Sequence, residues 1–167
     1  GDIFMPLAQT KNSEIIPVDS EHNAIHQCFP PNRDLKEISK IMITASGGPF
    51  REKTFKELSG VTLQDALKHP TWSMGTKITI DSATLVNKCL ELIEAHYLFQ
   101  IPESQIEIVV HPQSIIHSMV TFIDGSTIAQ MSNPNMEVPI ANALGVDQRL
   151  PINFEAIDFP GLNLSFE

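Results

Sequence analysis

The chain has 167 residues and 42% hydrophobic content, enough for one domain with a sizeable core. A formal net charge of −9 argues against a nucleic-acid or membrane-surface binder, though it leaves room for a small basic pocket. No apolar run reaches a transmembrane length and no signal peptide is visible. The two cysteines, Cys28 and Cys89, have no metal-like spacing and read as buried free thiols of an intracellular protein.

In chain order, residues 3–9 read as the end of a helix, against which Pro6 argues. Residues 14–18 read as a short strand, with Pro17 at its end or on an edge. The strand runs into Asp19-Ser20-Glu21-His22-Asn23, and a helix should follow to about Cys28, stopped by Pro30-Pro31-Asn32. Residues 38–45 form a second strand that delivers Ser46-Gly47-Gly48-Pro49, a turn whose glycines allow close backbone approach to an anion. One or two short helices lie between Glu52 and Lys68, broken at Gly60, with Thr62 as an N-cap.

The loop from His69 to Gly75 holds the only Trp, Trp72. Lys77-Ile78-Thr79-Ile80 is β-branched and suits a strand. Asp81 and Ser82 are good N-cap residues, so a long helix should begin there and reach about Phe99. Its apolar residues Leu85, Val86, Cys89, Leu90, Leu92 and Ile93 make a buried stripe, with Thr84, Asn87, Lys88 and Glu91 on another face. Residues 106–110 are a further strand, leading to His111-Pro112-Gln113-Ser114. A hairpin of residues 119–123 and 126–131 turns at Asp124-Gly125. A loop at residues 132–136 precedes a helix from Glu137 to about Val146, and the tail from Arg149 is extended. These elements make an α/β (α+β) fold: a mixed, mainly parallel sheet flanked by helices, with a β-hairpin in the C-terminal half. Residues 1–150 form the domain and 151–167 a tail or the start of a linker.

Four apolar runs end in polar clusters, at Asp19, Ser46, Asp81 and His111. Ligand sites in α/β sheets form at the carboxyl ends of strands, so the clusters could converge. Asp19, Glu21 and Glu91 are hard oxygen donors suited to Mg²⁺ or Mn²⁺, although Asp-x-Glu is usually surface charge. Ser46, Ser82, Asn87 and Lys88 carry donors for a phosphate. The alternative is a solvated helix face with a Lys88–Glu91 pair. His111 and His117 suit structural or packing roles better than metal ligation. Trp72 suits a water-excluding lid or a core position. Met74 and Met136 suit an apolar slot or ordinary gap filling.

The segments at residues 17–25, 45–51, 69–75 and 111–118, with Asp81-Ser82-Ala83-Thr84 and Asn87-Lys88, resemble the 1-deoxy-D-xylulose 5-phosphate reductoisomerase family. The resemblance runs from about Ile3 to the tail. Departures are few. Cys89 stands where a glycine is usual, Ser132-Asn133 differ in the loop after the hairpin, and Glu137 replaces a common basic residue.

The resemblance implies the central catalytic domain of that enzyme, without the family's N-terminal dinucleotide-binding domain, its C-terminal helical domain or a lysine that precedes this segment. It implies conversion of 1-deoxy-D-xylulose 5-phosphate to 2-C-methyl-D-erythritol 4-phosphate in non-mevalonate isoprenoid synthesis. A skeletal rearrangement gives an aldehyde that NADPH reduces. By the family pattern Asp19, Glu21 and Glu91 bind the divalent metal, and Ser20 with Glu21 holds the substrate backbone. Ser46, Ser82, Asn87 and Lys88 bind the phosphate, with His69 beside it, and the His69–Gly75 loop closes over the substrate with Trp72 as cover. Met74, Gly75, Ser114 and Met136 lie near the nicotinamide, whose cofactor sits mostly on the absent domain, so the segment alone should not turn over. A homodimer through the sheet, and a bacterial cytosol or a plastid or apicoplast, are also implied. Two rivals are an assembly module without turnover and a metal-dependent phosphatase or other phosphosugar enzyme using the same carboxylates.

Overall fold

The computed structural model describes residues 1–30, 32, 34–145 and 148–167. Its frame is a four-stranded sheet in the order β2-β1-β3-β4. The strands are β1 (Ile38–Ala45), β2 (Ile106–Val110), β3 (Ile116–Phe122) and β4 (Thr127–Met131). Alternation is clear in the central strand β1. Ile41 and Ile43 are fully buried on one face, while Lys40 on the other pairs with Glu107 of β2 at 2.8 Å.

The sheet is mixed but not mainly parallel, which corrects the expectation. β1 and β2 run parallel, with Ile41 opposite Ile106; the β1–β3 and β3–β4 pairs are antiparallel. Connection length explains the difference. The helices between β1 and β2 supply the long crossover a parallel pair needs, whereas β3 and β4 are joined by the tight Asp124-Gly125 turn, with Gly125 at φ 86°.

Helix α1 spans Phe4–Thr10 and α2 spans Ser20–Cys28. Pro6 is tolerated because it falls in the first turn of α1, where its missing N–H has no helical partner. α3 (Phe55–Leu58) and α4 (Leu63–Ala66) lie on either side of Gly60. Each opens with a capping box, Thr54 with Glu57 and Thr62 with Asp65. α5 covers Thr76–Ala83, α6 Val86–Phe99 and α7 Glu137–Gly145. Val146, the expected end of α7, lies outside the described residues.

α2 packs over β1, β3 and β4, and α6 over β2. Ile25 and Cys28 of α2, Ala95 and Phe99 of α6, and Ile38, Ile41, Ile43, Ile106 and Val120 of the sheet form the core. Phe29 meets Phe99 edge-on at 5.0 Å. The tail is extended apart from one turn at Phe159–Gly161. It returns to the sheet, where Glu167 and Val110 exchange both backbone hydrogen bonds, at 2.9 and 3.1 Å. Among the described residues no helix is long and apolar enough to cross a membrane.

Three local expectations fail. Residues 14–18 stay extended without entering the sheet. Pro17 has no N–H for a ladder, and its carbonyl accepts from Asn23 Nδ2 at 2.9 Å. Residues 77–80 are helical, inside α5. Thr79 Oγ1 bonds back to the Gly75 carbonyl at 3.0 Å and Lys77 pairs with Asp81 at 2.6 Å, one helical turn on. These local bonds outweigh a weak β propensity.

The long helix starts at Val86 rather than Asp81 or Ser82, and of the expected apolar stripe only Leu92 packs against the core. Leu85, Val86, Leu90 and Ile93 are exposed, and Cys89 is an exposed thiol while Cys28 is buried. Lys88, Glu91, Ala95 and Phe99 point inward. The polar residues lie inside because they build the site described below. This orientation has a thermodynamic signature. Phe99→Ala should lower the unfolding free energy by about 3–5 kcal/mol, whereas Ile93→Ala should change it by less than about 0.5 kcal/mol, both read from urea melts. Similar losses for the two would place the apolar stripe inward after all.

Candidate active site

A cleft of about 300 Å³ gathers all the metal, substrate and cofactor residues expected from the resemblance. Asp19, Ser20 and Glu21 reach it from the start of α2, and Ser46 from the turn after β1. The loop after α4 contributes His69, Trp72, Met74 and Gly75. Ser82 comes from α5, and Asn87, Lys88 and Glu91 from the first turns of α6. Ser114 lies in the turn after β2, and Met136 just before α7. Of the four polar clusters, two follow strands and two lie in or beside helices, yet all four bring a residue to the cleft. Asp81 and His111 do not line it.

On the carboxylate side Glu91 is buried, Glu21 half-buried and Asp19 exposed. Asp19, Glu21 and Glu91 each offer an oxygen, and these lie within 4.8 Å of one another. Lys88 Nζ donates to Glu21 Oε1 at 2.8 Å and to Glu91 Oε2 at 2.6 Å. Asn87 Nδ2 donates to Glu91 Oε1, and Ser20 Oγ to Glu21 Oε2. Burial and then the neighbouring Glu21 charge push the Glu91 carboxyl above its usual range, against the pull of Lys88. Burial disfavours the Lys88 ammonium, but the two carboxylates outweigh it and raise its pKa.

His22 was missed by the sequence reading, although its i, i+3 spacing from Asp19 was available as a signal. It is fully buried. Its Nδ1 lies 2.9 Å from Asp19 Oδ2 and its Nε2 lies 2.9 Å from the Glu91 carbonyl oxygen. Both partners accept, so both ring nitrogens donate and the ring is an imidazolium. Burial alone would lower its pKa, but the Asp19 hydrogen bond and charge raise it to about 9. The same pairing holds the Asp19 carboxyl below its usual range, although burial opposes it.

The donor side is held by close backbone contact. Gly48 has φ 69°, and a Cβ there would lie 2.7 Å from the Ser82 carbonyl oxygen. Only glycine lets the Ser46 turn approach Ser82 so closely. Ser46 Oγ lies 2.9 Å from His69 Nε2. His69 Nδ1 accepts from the backbone N–H groups of Trp72 at 2.9 Å and Thr71 at 3.2 Å. The proton is therefore on Nε2, facing the cleft. Trp72 leans on the buried His117 at 5.9 Å between ring centroids. His117, read from the sequence as a structural or packing histidine, also lines the cleft, as do Thr44, Ile78 and Leu85, to which sequence reading assigned no site role.

The trio fits a hard divalent cation. All three donors are carboxylate oxygens beside open cleft volume, a setting suited to Mg²⁺ or Mn²⁺ that keeps part of its water. Residues 15–99 match the family model described as 1-deoxy-D-xylulose 5-phosphate reductoisomerase C-terminal domain.

The chain belongs to the 1-deoxy-D-xylulose 5-phosphate reductoisomerase family.

Among members of the family, the enzyme of Ruminiclostridium cellulolyticum is 56% identical over 95% of this chain and 42% of its own length. That of Methylobacillus flagellatus is 55% identical over 100% and 44%. A crystal structure of DOX-P reductoisomerase in complex with NADPH, fosmidomycin and magnesium superposes with a TM-score of 0.95 at 43% identity, covering 99% of this chain and 43% of that one. The Zymomonas mobilis reductoisomerase in complex with NADPH gives 0.90 at 48% identity, with 99% and 42% covered. The chain thus spans less than half the length of the family members it matches.

The His69 contacts set a pH dependence. Burial lowers the pKa of His69 below its ordinary 6.5, so the neutral ring is the folded form. Its contribution to seating the loop is complete above the ordinary value and is lost as pH falls through the lowered folded one. The emission of the single Trp72 should therefore change on acidification, with a midpoint below 6.5, and His69→Gln should abolish the transition. A transition that survives in the variant belongs to His117.

Proposed function

We propose that this chain is the metal- and substrate-holding segment of an NADPH-dependent reductoisomerase. The complete enzyme would convert 1-deoxy-D-xylulose 5-phosphate to 2-C-methyl-D-erythritol 4-phosphate in non-mevalonate isoprenoid synthesis. The observation that carries the reading is a single cleft lined by three clustered carboxylates and by Ser46, Ser82, Asn87 and His69. Solved relatives bound to NADPH and magnesium support the cofactor assignment.

On this reading Asp19, Glu21 and Glu91 hold a divalent ion. When bound, it supplies positive charge that polarises the substrate's carbonyl and hydroxyl oxygens. Ser46, Ser82, Asn87 and Lys88, with the His69 Nε2–H, bind the phosphate. Binding a remote, unreactive group fixes the position of the reacting carbons. Ser20, bonded to Glu21, holds the substrate's hydroxylated backbone. The His69–Gly75 loop closes with Trp72 as the cover that keeps water from the reactive aldehyde. Met74, Gly75, Ser114 and Met136 edge the cleft and would flank the nicotinamide, whose chemistry is hydride donation. Residues 1–150 act as the catalytic and dimerisation unit, with 151–167 leading away from it. Turnover requires the portion of the relatives' length that this chain does not span. The outer strand β4, with Ile128 exposed, supports a homodimer formed through the sheet.

The test is an assay of the complete enzyme with 1-deoxy-D-xylulose 5-phosphate, NADPH and Mg²⁺. NADPH should be consumed, and Asp19→Asn should lower the rate by at least about 10²-fold, as expected when stabilisation of developing charge is lost. Release of inorganic phosphate without NADPH consumption would instead identify a phosphatase.

A further inference from the structure

In this structure the groups assigned to opposite charges are bonded to one another. Both oxygens of Glu91 are engaged, Oε1 by Asn87 Nδ2 and Oε2 by Lys88 Nζ. Both oxygens of Glu21 are engaged too, Oε1 by Lys88 Nζ and Oε2 by Ser20 Oγ. Lys88 is only 7% exposed, so its ammonium is committed to these two carboxylates. Two donors of the anion side are therefore tied up by two acceptors of the cation side.

We infer that Lys88 is a gate shared by the two half-sites, which makes cation and anion binding mutually reinforcing. The inference rests on the function proposed above. A divalent cation bonded to Glu21 and Glu91 takes the oxygens that Lys88 now holds, and two positive charges at such range repel in a buried site. The ammonium must swing off its carboxylates. Its four-carbon stem lets it turn within the cleft, toward the side that carries Ser46, Ser82 and the His69 Nε2–H. Asn87, on the same helical turn, holds the other Glu91 oxygen, Oε1, and is released as well when the cation takes both oxygens of Glu91. In reverse, an anion that draws Lys88 and Asn87 away leaves Glu21 and Glu91 without their donors and ready for a cation. By linkage, each ligand raises the affinity of the other by the same factor. His22 does not compete for the oxygens that Lys88 holds, because it bonds Asp19 and the Glu91 backbone carbonyl rather than the Glu21 and Glu91 carboxylates.

The probes are Mn²⁺ and sulfate, a dianion that holds divalent metals weakly in solution. Mn²⁺ is titrated into the full chain by calorimetry with and without sulfate, and sulfate with and without Mn²⁺. We expect sulfate to tighten Mn²⁺ binding about fivefold or more, and Mn²⁺ to tighten sulfate binding by the same factor. Lys88→Met, which keeps the apolar stem and removes the charge, should bind Mn²⁺ at least as tightly as wild type without sulfate and show no response to sulfate. Absence of coupling in the wild type overturns the inference and leaves the proposed function standing. So does equal coupling in Lys88→Met, which would mean that the two ions touch directly. If neither protein binds Mn²⁺, the carboxylate assignment falls and the inference falls with it. If Lys88→Met lacks the far-ultraviolet dichroism of the folded chain, Asn87→Ala decides instead. It frees Glu91 Oε1 alone, so its coupling must drop below the wild-type factor, and an unchanged factor overturns the gate.

Discussion

A buried ammonium between one buried and one half-buried carboxylate is the constraint on which the rest of this structure turns. Removing one partner from such a cluster leaves an uncompensated charge in the interior, at a cost of about 3–5 kcal/mol. Lys88 and the His22 imidazolium together face Asp19, Glu21 and Glu91, and this balance lets three carboxylates sit within 4.8 Å of each other. The cluster also fastens the fold. His22 of α2 donates to the Glu91 carbonyl of α6, joining residues 69 apart in sequence. Directly below, Ile25 and Cys28 of α2 meet Ala95 and Phe99 of α6 in the hydrophobic core. Each helix thus presents one inward stripe whose chemistry changes along its length, polar at the cleft and apolar at the core.

That change of chemistry explains where sequence reading succeeds and where it fails. The 3.6-residue period of α6 is readable, and so is the polar set Asn87, Lys88 and Glu91. Which face turns inward is not readable, because the rule that apolar faces are buried assumes no function on the polar one. Here Val86, Leu90 and Ile93 face out so that Lys88 and Glu91 can face in. The Asp19-x-Glu21 pair is visible locally, but its third member lies a domain's width away in sequence and only the fold brings it near. The helix α5 was hidden for a different reason. Its β-branched residues suit a strand, and the bonds that favour a helix, Lys77 to Asp81 and Thr79 to Gly75, run over four residues, a spacing that a propensity scan of residues 77–80 does not see.

The backbone bends where separate elements must present donors to one cleft. Leu85 joins α5 to α6 in the left-handed region, at φ 61°, a conformation that costs a non-glycine residue about 1–3 kcal/mol. The bend separates two helices where the sequence suggested one. It sets Ser82, at the end of the first, against Asn87 and Lys88, at the start of the second. Ser114 is likewise left-handed at φ 52°, in the turn that carries it from β2 into the cleft wall. Gly48 serves the same end without strain, since it has no Cβ to meet the Ser82 carbonyl. These three bends serve the cleft, whereas the other left-handed non-glycine residues described, Asn12 and Gln100, follow the ends of α1 and α6.

Four histidines show how hydrogen-bond partners and burial together set protonation in this small domain. His22 faces a carboxylate and a carbonyl, two acceptors, and must carry both protons. His69 faces two backbone N–H donors at Nδ1, so it is neutral and keeps one proton for the cleft. His111 accepts from the Ile115 N–H at Nε2 and donates from Nδ1 to the Ser165 carbonyl, which fixes it neutral with the other tautomer. It stacks on Phe166 at 4.7 Å and so ties the returning tail to the loop that carries Ser114. His117 is buried and lowered in pKa chiefly by that burial; it reaches the Ser132 hydroxyl with Nε2 and supports Trp72 with its ring. Of these four, only His22, beside the carboxylate trio, has an acceptor on each ring nitrogen and so is charged. A second fixed cation there lets Lys88 leave its carboxylates without stripping Asp19 of its own partner, so the cluster can exchange one positive charge for another and remain assembled.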